Sequence, residues 1–103
     1  MLQDPTPLLK ALADPGRLLL ARLLAEGTFN VSELCDIAGM PQSTASRNLK
    51  ILAAADLIAA RREGRLIFYG WSTALDPARA ALRLWVQSFG PALEGDLPRR
   101  IHE

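Results

Sequence analysis

SELCDIAGMPQSTASRNLKILAAADLIAARREGR, residues 32–65, is the stretch that decides the fold. Ser32 can cap a first helix, because its hydroxyl can accept a backbone N–H of the opening turn. Gly39 suits the left-handed position just after a helix end, and Pro41 cannot continue that helix. Pro41 can instead open a second helix, where its missing N–H is not needed. The pattern predicts a helix-turn-helix over about residues 32–54.

The second helix, about residues 42–54, has two unlike faces at helical spacing. Ala45, Leu49 and Leu52 form an apolar side. The opposite side carries hydroxyls, an amide and two cations, but no carboxylate: Gln42, Ser43, Thr44, Ser46, Arg47 and Lys50. Such groups can contact base edges and phosphates, so this side favours DNA reading. A solvated helix face is the alternative, although that would more often mix glutamates with lysines.

Two strand-like runs follow and predict a hairpin, the wing, over about residues 57–71, with a tight turn at Glu63-Gly64. Arg61, Arg62 and Arg65 are expected to cluster at its tip. In winged helices, such cations lie over the DNA backbone or enter the adjacent minor groove. Residues 42–65 contain five Lys/Arg and two Asp/Glu, a net charge of +3 in a chain whose total is +1. The basic character is therefore local.

Four segments together resemble the ArsR/SmtB, or arsenic-repressor, family of small winged-helix repressors: LKALADPGRLLL at 9–20, SEL at 32–34, QSTASRNLKIL at 42–52 and LIAARREGRLIFY at 57–69. The resemblance implies a mostly helical fold with a small β-hairpin, α-α-(β)-α-α-β-β-α, and a dimer formed through the first and last helices. Gly16 and Asn48 depart from the family pattern, which usually has threonine and frequently histidine there. We expect Asn48 to alter the DNA sequence that is read.

The chain has 103 residues, which predicts one domain over about residues 1–90. Asp76-Pro77 predicts the start of a last helix over about residues 76–89. This helix has more apolar surface than a small core usually buries, and the family pairs its first and last helices. We expect a homodimer whose interface includes Leu8, Leu12, Leu82, Trp85 and Phe89. Residues 91–103 contain two prolines and mixed charge, so we expect a loose tail.

Metal sensing is not expected, although relatives in this family commonly release DNA when they bind a metal. One family site uses two cysteines, whose positions fall on Asn30 and Ser32 here; another uses histidines on the last helix, which has none. A zinc or soft-metal site needs three or four ligands, and this chain has one cysteine and one histidine, far apart. We therefore expect no metal and no cofactor. Cys35 is interpreted as a small packing residue, with a single-cysteine redox switch as the alternative.

An organic effector remains as a hypothesis. Four aromatic residues near the expected dimer interface are the candidates for its pocket, and core packing is the competing interpretation: Phe68, Tyr69, Trp71 and Trp85. The chain contains no nucleophile–histidine–carboxylate set and no glycine-rich phosphate loop, so we do not expect an enzyme. A membrane-spanning run and a signal peptide are also not expected, and one cysteine excludes an internal disulfide, so we expect a cytoplasmic protein.

The leading hypothesis is a sequence-specific transcriptional repressor that binds a double-stranded DNA operator. Its release is expected to depend on a small organic metabolite rather than a metal. The alternative from another class is a winged-helix module that binds an acidic protein. A protein-docking face is expected to carry an exposed aromatic residue or leucine, and the polar side of the second helix carries neither.

Overall fold

The computed structural model describes residues 4–74 and 76–89, and these form five helices and a three-stranded antiparallel sheet. The elements in chain order are α1 (Thr6–Leu12), α2 (Pro15–Glu26), β1 (Phe29–Asn30), α3 (Val31–Ala38), α4 (Gln42–Ala54), β2 (Ile58–Glu63), β3 (Leu66–Trp71) and α5 (Pro77–Gln87). This order confirms the predicted winged helix-turn-helix. The predicted tail lies outside the described residues.

Helix α2 forms the centre of the core and contacts α1, α3, α4, α5 and β3. Leucines occur on most of its sides, and Leu20, Leu23 and Leu24 are at most 1% exposed. Burial of one such side chain contributes about 1.5–3 kcal/mol to folding. Asp14 caps the start of this helix, because its carboxylate accepts a hydrogen bond from the backbone N–H of Arg17 at 3.0 Å, and Pro15 is the first helical residue.

Helix α3, the first helix of the helix-turn-helix, starts with a different cap from the predicted one. The side chain of Asn30 accepts the backbone N–H of Glu33 at 2.9 Å, and the carboxylate of Glu33 accepts the backbone N–H of Asn30 at 2.9 Å. This capping box satisfies two backbone donors, whereas Ser32 would satisfy one. The prediction of Ser32 as the cap was therefore wrong, and Ser32 lies exposed in the first turn.

The turn between α3 and α4 follows the sequence prediction. Gly39 has a φ of 67°, and its N–H donates to the carbonyl of Cys35 at 2.9 Å. Pro41 precedes the first residue of α4 in an extended conformation. The apolar side of α4 is completely buried, which fixes the opposite side toward solvent.

Strand β3 is the middle strand of the sheet, with β1 and β2 as its neighbours. Gly64 turns the hairpin with a φ of 63°. Gly70 lies beneath the loop that enters β1, and a Cβ at this position would be 2.8 Å from Cγ2 of Thr28. The glycine therefore allows the loop to cross β3 closely, which brings β1 and the start of α3 beside the wing.

Helix α5 is held against the carboxyl ends of α2 and α4 by arginine side chains. Arg83 donates to the carbonyl of Ala25 through Nε at 3.1 Å and Nη2 at 2.9 Å. Arg79 donates to the carbonyls of Ala55 at 3.1 Å and Asp56 at 2.7 Å. The last carbonyls of a helix have no partners within that helix, and cations there are also favoured by the helix dipole. These bonds attach α5 to the ends of α2 and α4.

Candidate nucleic-acid interface

The outward side of α4 is accessible along its length. We call this side the recognition face; five of its six residues are exposed and Thr44 is half-buried: Gln42, Ser43, Thr44, Ser46, Arg47 and Lys50. Arg47 and Lys50 are three residues apart, which makes them neighbours on a helix surface. The recognition face thus presents hydroxyls and an amide at its start and two positive charges in its middle, with no carboxylate.

Asn48 does not belong to the recognition face. Its side chain is in the contact between α4 and the start of α2, and the residue is only 5% exposed. An amide enclosed in this way is not directed at a base edge. Asn48 is therefore not placed to contact a base directly, contrary to the expectation from the sequence. Any effect of Asn48 on the DNA sequence that is bound has to act through the position of α4.

The three wing arginines are exposed near the tip of the hairpin, and the strand does not direct all of them to one face. Arg61 and Arg62 are adjacent in β2, and successive side chains of a strand point to opposite faces. Arg61 also pairs with the carboxylate of Glu63 at 2.7 Å. Arg65 lies in the turn. Because exposed ion pairs contribute only about 0–1 kcal/mol, a phosphate can replace Glu63 at little cost.

The four aromatic residues proposed for an effector pocket do not share one space. The sheet register places Phe68 opposite Arg61 and Tyr69 opposite Ala60, so these two rings lie on opposite faces of the sheet. Trp85 contacts Phe89 edge-on, with ring centroids 4.7 Å apart. The four side chains are therefore divided between the two faces of the sheet and α5, so they do not line one pocket of a single chain as the sequence had suggested.

A cleft of about 420 Å³ lies between the end of β3 and α5. Of the four aromatic residues, only Trp71 lines it, together with Arg79, Arg83 and Leu84. The indole N–H of Trp71 is buried and has no hydrogen-bond partner among residues 4–74 and 76–89. A mixed lining of two guanidinium groups and apolar side chains is compatible with a small amphipathic ligand.

Within residues 4–74 and 76–89, no group of three or more His, Cys, Asp or Glu is arranged to hold a metal ion. Asn30, where the family resemblance places one of the two cysteines, is used in the capping box of α3. Cys35 is a half-buried free thiol on α3. The only histidine, His102, lies outside the described residues.

The surface of α1 differs from the one that the sequence predicted. Leu8 and Leu12 are 7% and 4% exposed and belong to the core of the chain, so they are not free surface for a dimer interface. Residues four apart share a helix face, and that face of α1 meets α2. Leu9 points the other way and is 50% exposed. Leu9 is thus the large apolar side chain that α1 exposes.

Helix α5 has the larger exposed apolar surface. Leu84 is 69% exposed and Trp85 is 47% exposed, while Leu82 and Phe89 are half-buried. Large apolar side chains exposed on a surface helix are of the kind that interfaces cover. No described helix has the length and apolar character that crossing a bilayer requires.

Comparisons with known proteins agree with this geometry. Residues 14–60 match the family model described as "Bacterial regulatory protein, arsR family". A biofilm growth-associated repressor of Agrobacterium fabrum is 47% identical over 62 residues, which cover 60% of this chain and 53% of that protein. The chain therefore spans about half the length of this curated relative and of similar ones.

Two solved structures are similar over most of their length. The transcriptional repressor BigR of Xylella fastidiosa superimposes with a TM-score of 0.74 and 35% identity, covering 86% of this chain and 85% of that one. A homodimeric winged helix-turn-helix DNA-binding domain of Mycobacterium bovis gives a TM-score of 0.65 and 32% identity, covering 90% and 93%. In both, the likeness extends through the helix-turn-helix and beyond the stretch that the family model matches.

Proposed function

Since the chain belongs to the arsR family of bacterial regulatory proteins, we propose that it is a transcriptional repressor that binds a double-stranded DNA operator. The observation that carries the proposal is the recognition face, an exposed helix side with hydroxyls, an amide and two cations but no carboxylate. The exposed arginines of the wing lie on the next element of the chain. Two of the similar proteins are named as repressors, which supports the same function.

We further propose that the protein acts as a homodimer through α1 and α5. The exposed apolar side chains Leu9, Leu84 and Trp85 support this, together with the homodimeric state of the Mycobacterium bovis domain. A two-fold dimer presents two α4 helices, each of which can enter the major groove at one half-site. The wing arginines then contact the flanking backbone or minor groove.

The first test is binding of the wild-type protein to duplex DNA. We expect binding to weaken steeply with salt, because each neutralised phosphate contributes about 0.9 units to the slope of log K against log salt. Fluorescence anisotropy with genomic fragments and with random duplex, at several salt concentrations, measures this slope and the sequence preference. Absence of binding at low salt would instead support a winged-helix module that binds an acidic protein.

We propose that the repressor is released by a small organic ligand rather than by a metal. Asn30 and Ser32 occupy the positions of the family's cysteine pair, and neither side chain is a thiolate. The cleft beside Trp71 supports an organic ligand, since its lining combines apolar surface with guanidinium groups. The alternative to an organic ligand is oxidation of the single cysteine, Cys35, as the signal that releases the DNA.

The release prediction is tested on the preformed protein–DNA complex. We expect zinc, cadmium and arsenite at micromolar concentration to leave the anisotropy unchanged, whereas a panel of planar metabolite acids is screened for release. Cys35→Ser serves as the matched control, because it removes the only thiol. Metal-induced release in the wild type and in Cys35→Ser alike would show a metal site elsewhere, and oxidant-induced release that Cys35→Ser abolishes would favour the redox alternative.

A further inference from the structure

The first turn of α2 meets the turn and the second helix of the helix-turn-helix at Gly16. A Cβ at Gly16 would be 3.0 Å from Nδ2 of Asn48 and 3.8 Å from Cε of Met40. Asn48 belongs to α4, and Met40 belongs to the turn that precedes it. The carboxylate of Asp14 approaches the same space, with Oδ2 at 3.3 Å. The absence of a side chain at Gly16 therefore lets the amide of Asn48 on α4 approach α2 closely, whereas the distance to Met40 is an ordinary van der Waals contact.

The backbone does not explain this glycine. Gly16 lies within α2, and its φ is not in the left-handed region that favours glycine. Inside a helix, glycine is less stable than alanine, because more conformational freedom is lost on folding. The space taken by the amide of Asn48 is the physical reason that the structure offers for a glycine at this position.

Asn48 is also unusual in its own surroundings. It is only 5% exposed. Among the residues that the structure describes, the one other buried polar or charged residue is Arg22. Burying an amide is unfavourable compared with burying an apolar side chain of the same size. Its neighbours in sequence face opposite ways, since Arg47 is exposed and Leu49 is completely buried. The packing of the Asn48 side chain against α2 therefore constrains the rotation of α4 about its axis.

We infer that Asn48 is a positioning residue for DNA binding, and that Gly16 is the seat on which it rests. The pair sets the rotation of α4 and its distance from α2, and thereby the placement of Arg47 and Lys50 against DNA. Asn48 itself does not touch DNA. This inference rests on the proposed function, because positioning has a consequence only if the recognition face binds DNA.

The test is a pair of double-mutant cycles on the full chain. Gly16→Ala, Asn48→Ala and the double variant are compared in urea denaturation and in binding to a duplex that the wild type binds. We expect each single variant to fold and to bind DNA about tenfold more weakly. Because contacting residues are coupled, the double variant should bind at least about threefold more tightly than the product of the single effects predicts. Gly27→Ala is the matched control, since a Cβ there meets nothing closer than 3.8 Å.

A third cycle separates positioning from structural support. If Asn48 acts through Arg47, then Arg47→Ala should weaken binding by a smaller factor in the Asn48→Ala background than in the wild type. Wild-type affinity of a folded Asn48→Ala protein would overturn the inference, as would purely multiplicative effects of Gly16→Ala and Asn48→Ala. The proposed function fails instead if the wild type does not bind duplex DNA, and the urea cycle then still decides whether the two residues are coupled.

Discussion

The variant Arg61→Ala/Arg62→Ala/Arg65→Ala will fold and dimerise normally but will bind operator DNA far more weakly than the wild type. All three side chains are exposed, so their removal leaves the core unchanged. Each lost phosphate contact lowers the slope of log K against log salt by about one unit. The strand alternation limits how many of the three can face DNA at once. We therefore expect a loss of about one to two units for each subunit in the variant.

The single variants sharpen this experiment. Since Arg61 and Arg62 point to opposite faces of β2, Arg61→Ala and Arg62→Ala should have unequal effects on affinity. Lys50→Ala is the matched control on α4, because it removes one charge without changing the wing. Anisotropy titrations between low and physiological salt give each slope. Equal affinities and slopes for the triple variant and the wild type would reduce the wing to a structural hairpin, leaving Arg47 and Lys50 as the basic surface.

Local features explain why much of the fold was predictable from the sequence. Asp14-Pro15 and Asp76-Pro77 each start a helix, and both aspartates accept a backbone N–H of the first turn. Gly39 adopts the left-handed conformation that its position after an apolar helix implied. Ala45 and Leu49 follow the helical period and are both fully buried. Each of these features depends on residues within a few positions of each other, so it can be predicted from a short stretch of sequence.

The cap of α3 was predictable in principle. Both Asn30 and Ser32 are good capping residues, but only Asn30 has a glutamate three residues later, at Glu33. That spacing allows two reciprocal hydrogen bonds, which stabilise the start of the helix more than the single hydrogen bond that the Ser32 hydroxyl could accept. A search for the reciprocal pattern, rather than for a single capping side chain, would have chosen the correct residue.

Tertiary contacts account for the expectations that failed. Leu8 and Leu9 are adjacent on a short helix, and the sequence does not state which of them meets α2. The structure assigns the core to Leu8 and leaves Leu9 exposed. The burial of Asn48 depends on Gly16, which is on a different helix. Helical periodicity does place position 48 on the buried side of α4, between Ala45 and Leu52. The polar side chain gave no reason to assign it to the core, and no local pattern connects it to Gly16.

The corrected interface changes the expected behaviour of α5 variants. Trp85 is 47% exposed and Leu84 is 69% exposed, so neither side chain is essential to the core of one chain. Val86, the next residue, is completely buried. A charge at position 86 would therefore disrupt folding, whereas a charge at position 85 should leave the folded chain intact and act on association alone.

Trp85→Glu is accordingly expected to give a soluble, folded monomer. The carboxylate would be placed in a desolvated contact without a partner, and a single unpaired buried charge costs about 3–5 kcal/mol. The dimer dissociation constant should rise at least about a hundredfold, and DNA affinity should fall with it, because one α4 can occupy only one half-site. Trp85→Phe keeps an apolar ring and serves as the control. Analytical ultracentrifugation measures the association, and circular dichroism verifies the fold. A folded Trp85→Glu protein with the dissociation constant of the wild type would place the dimer interface elsewhere, because the largest exposed ring on α5 would then contribute nothing to it.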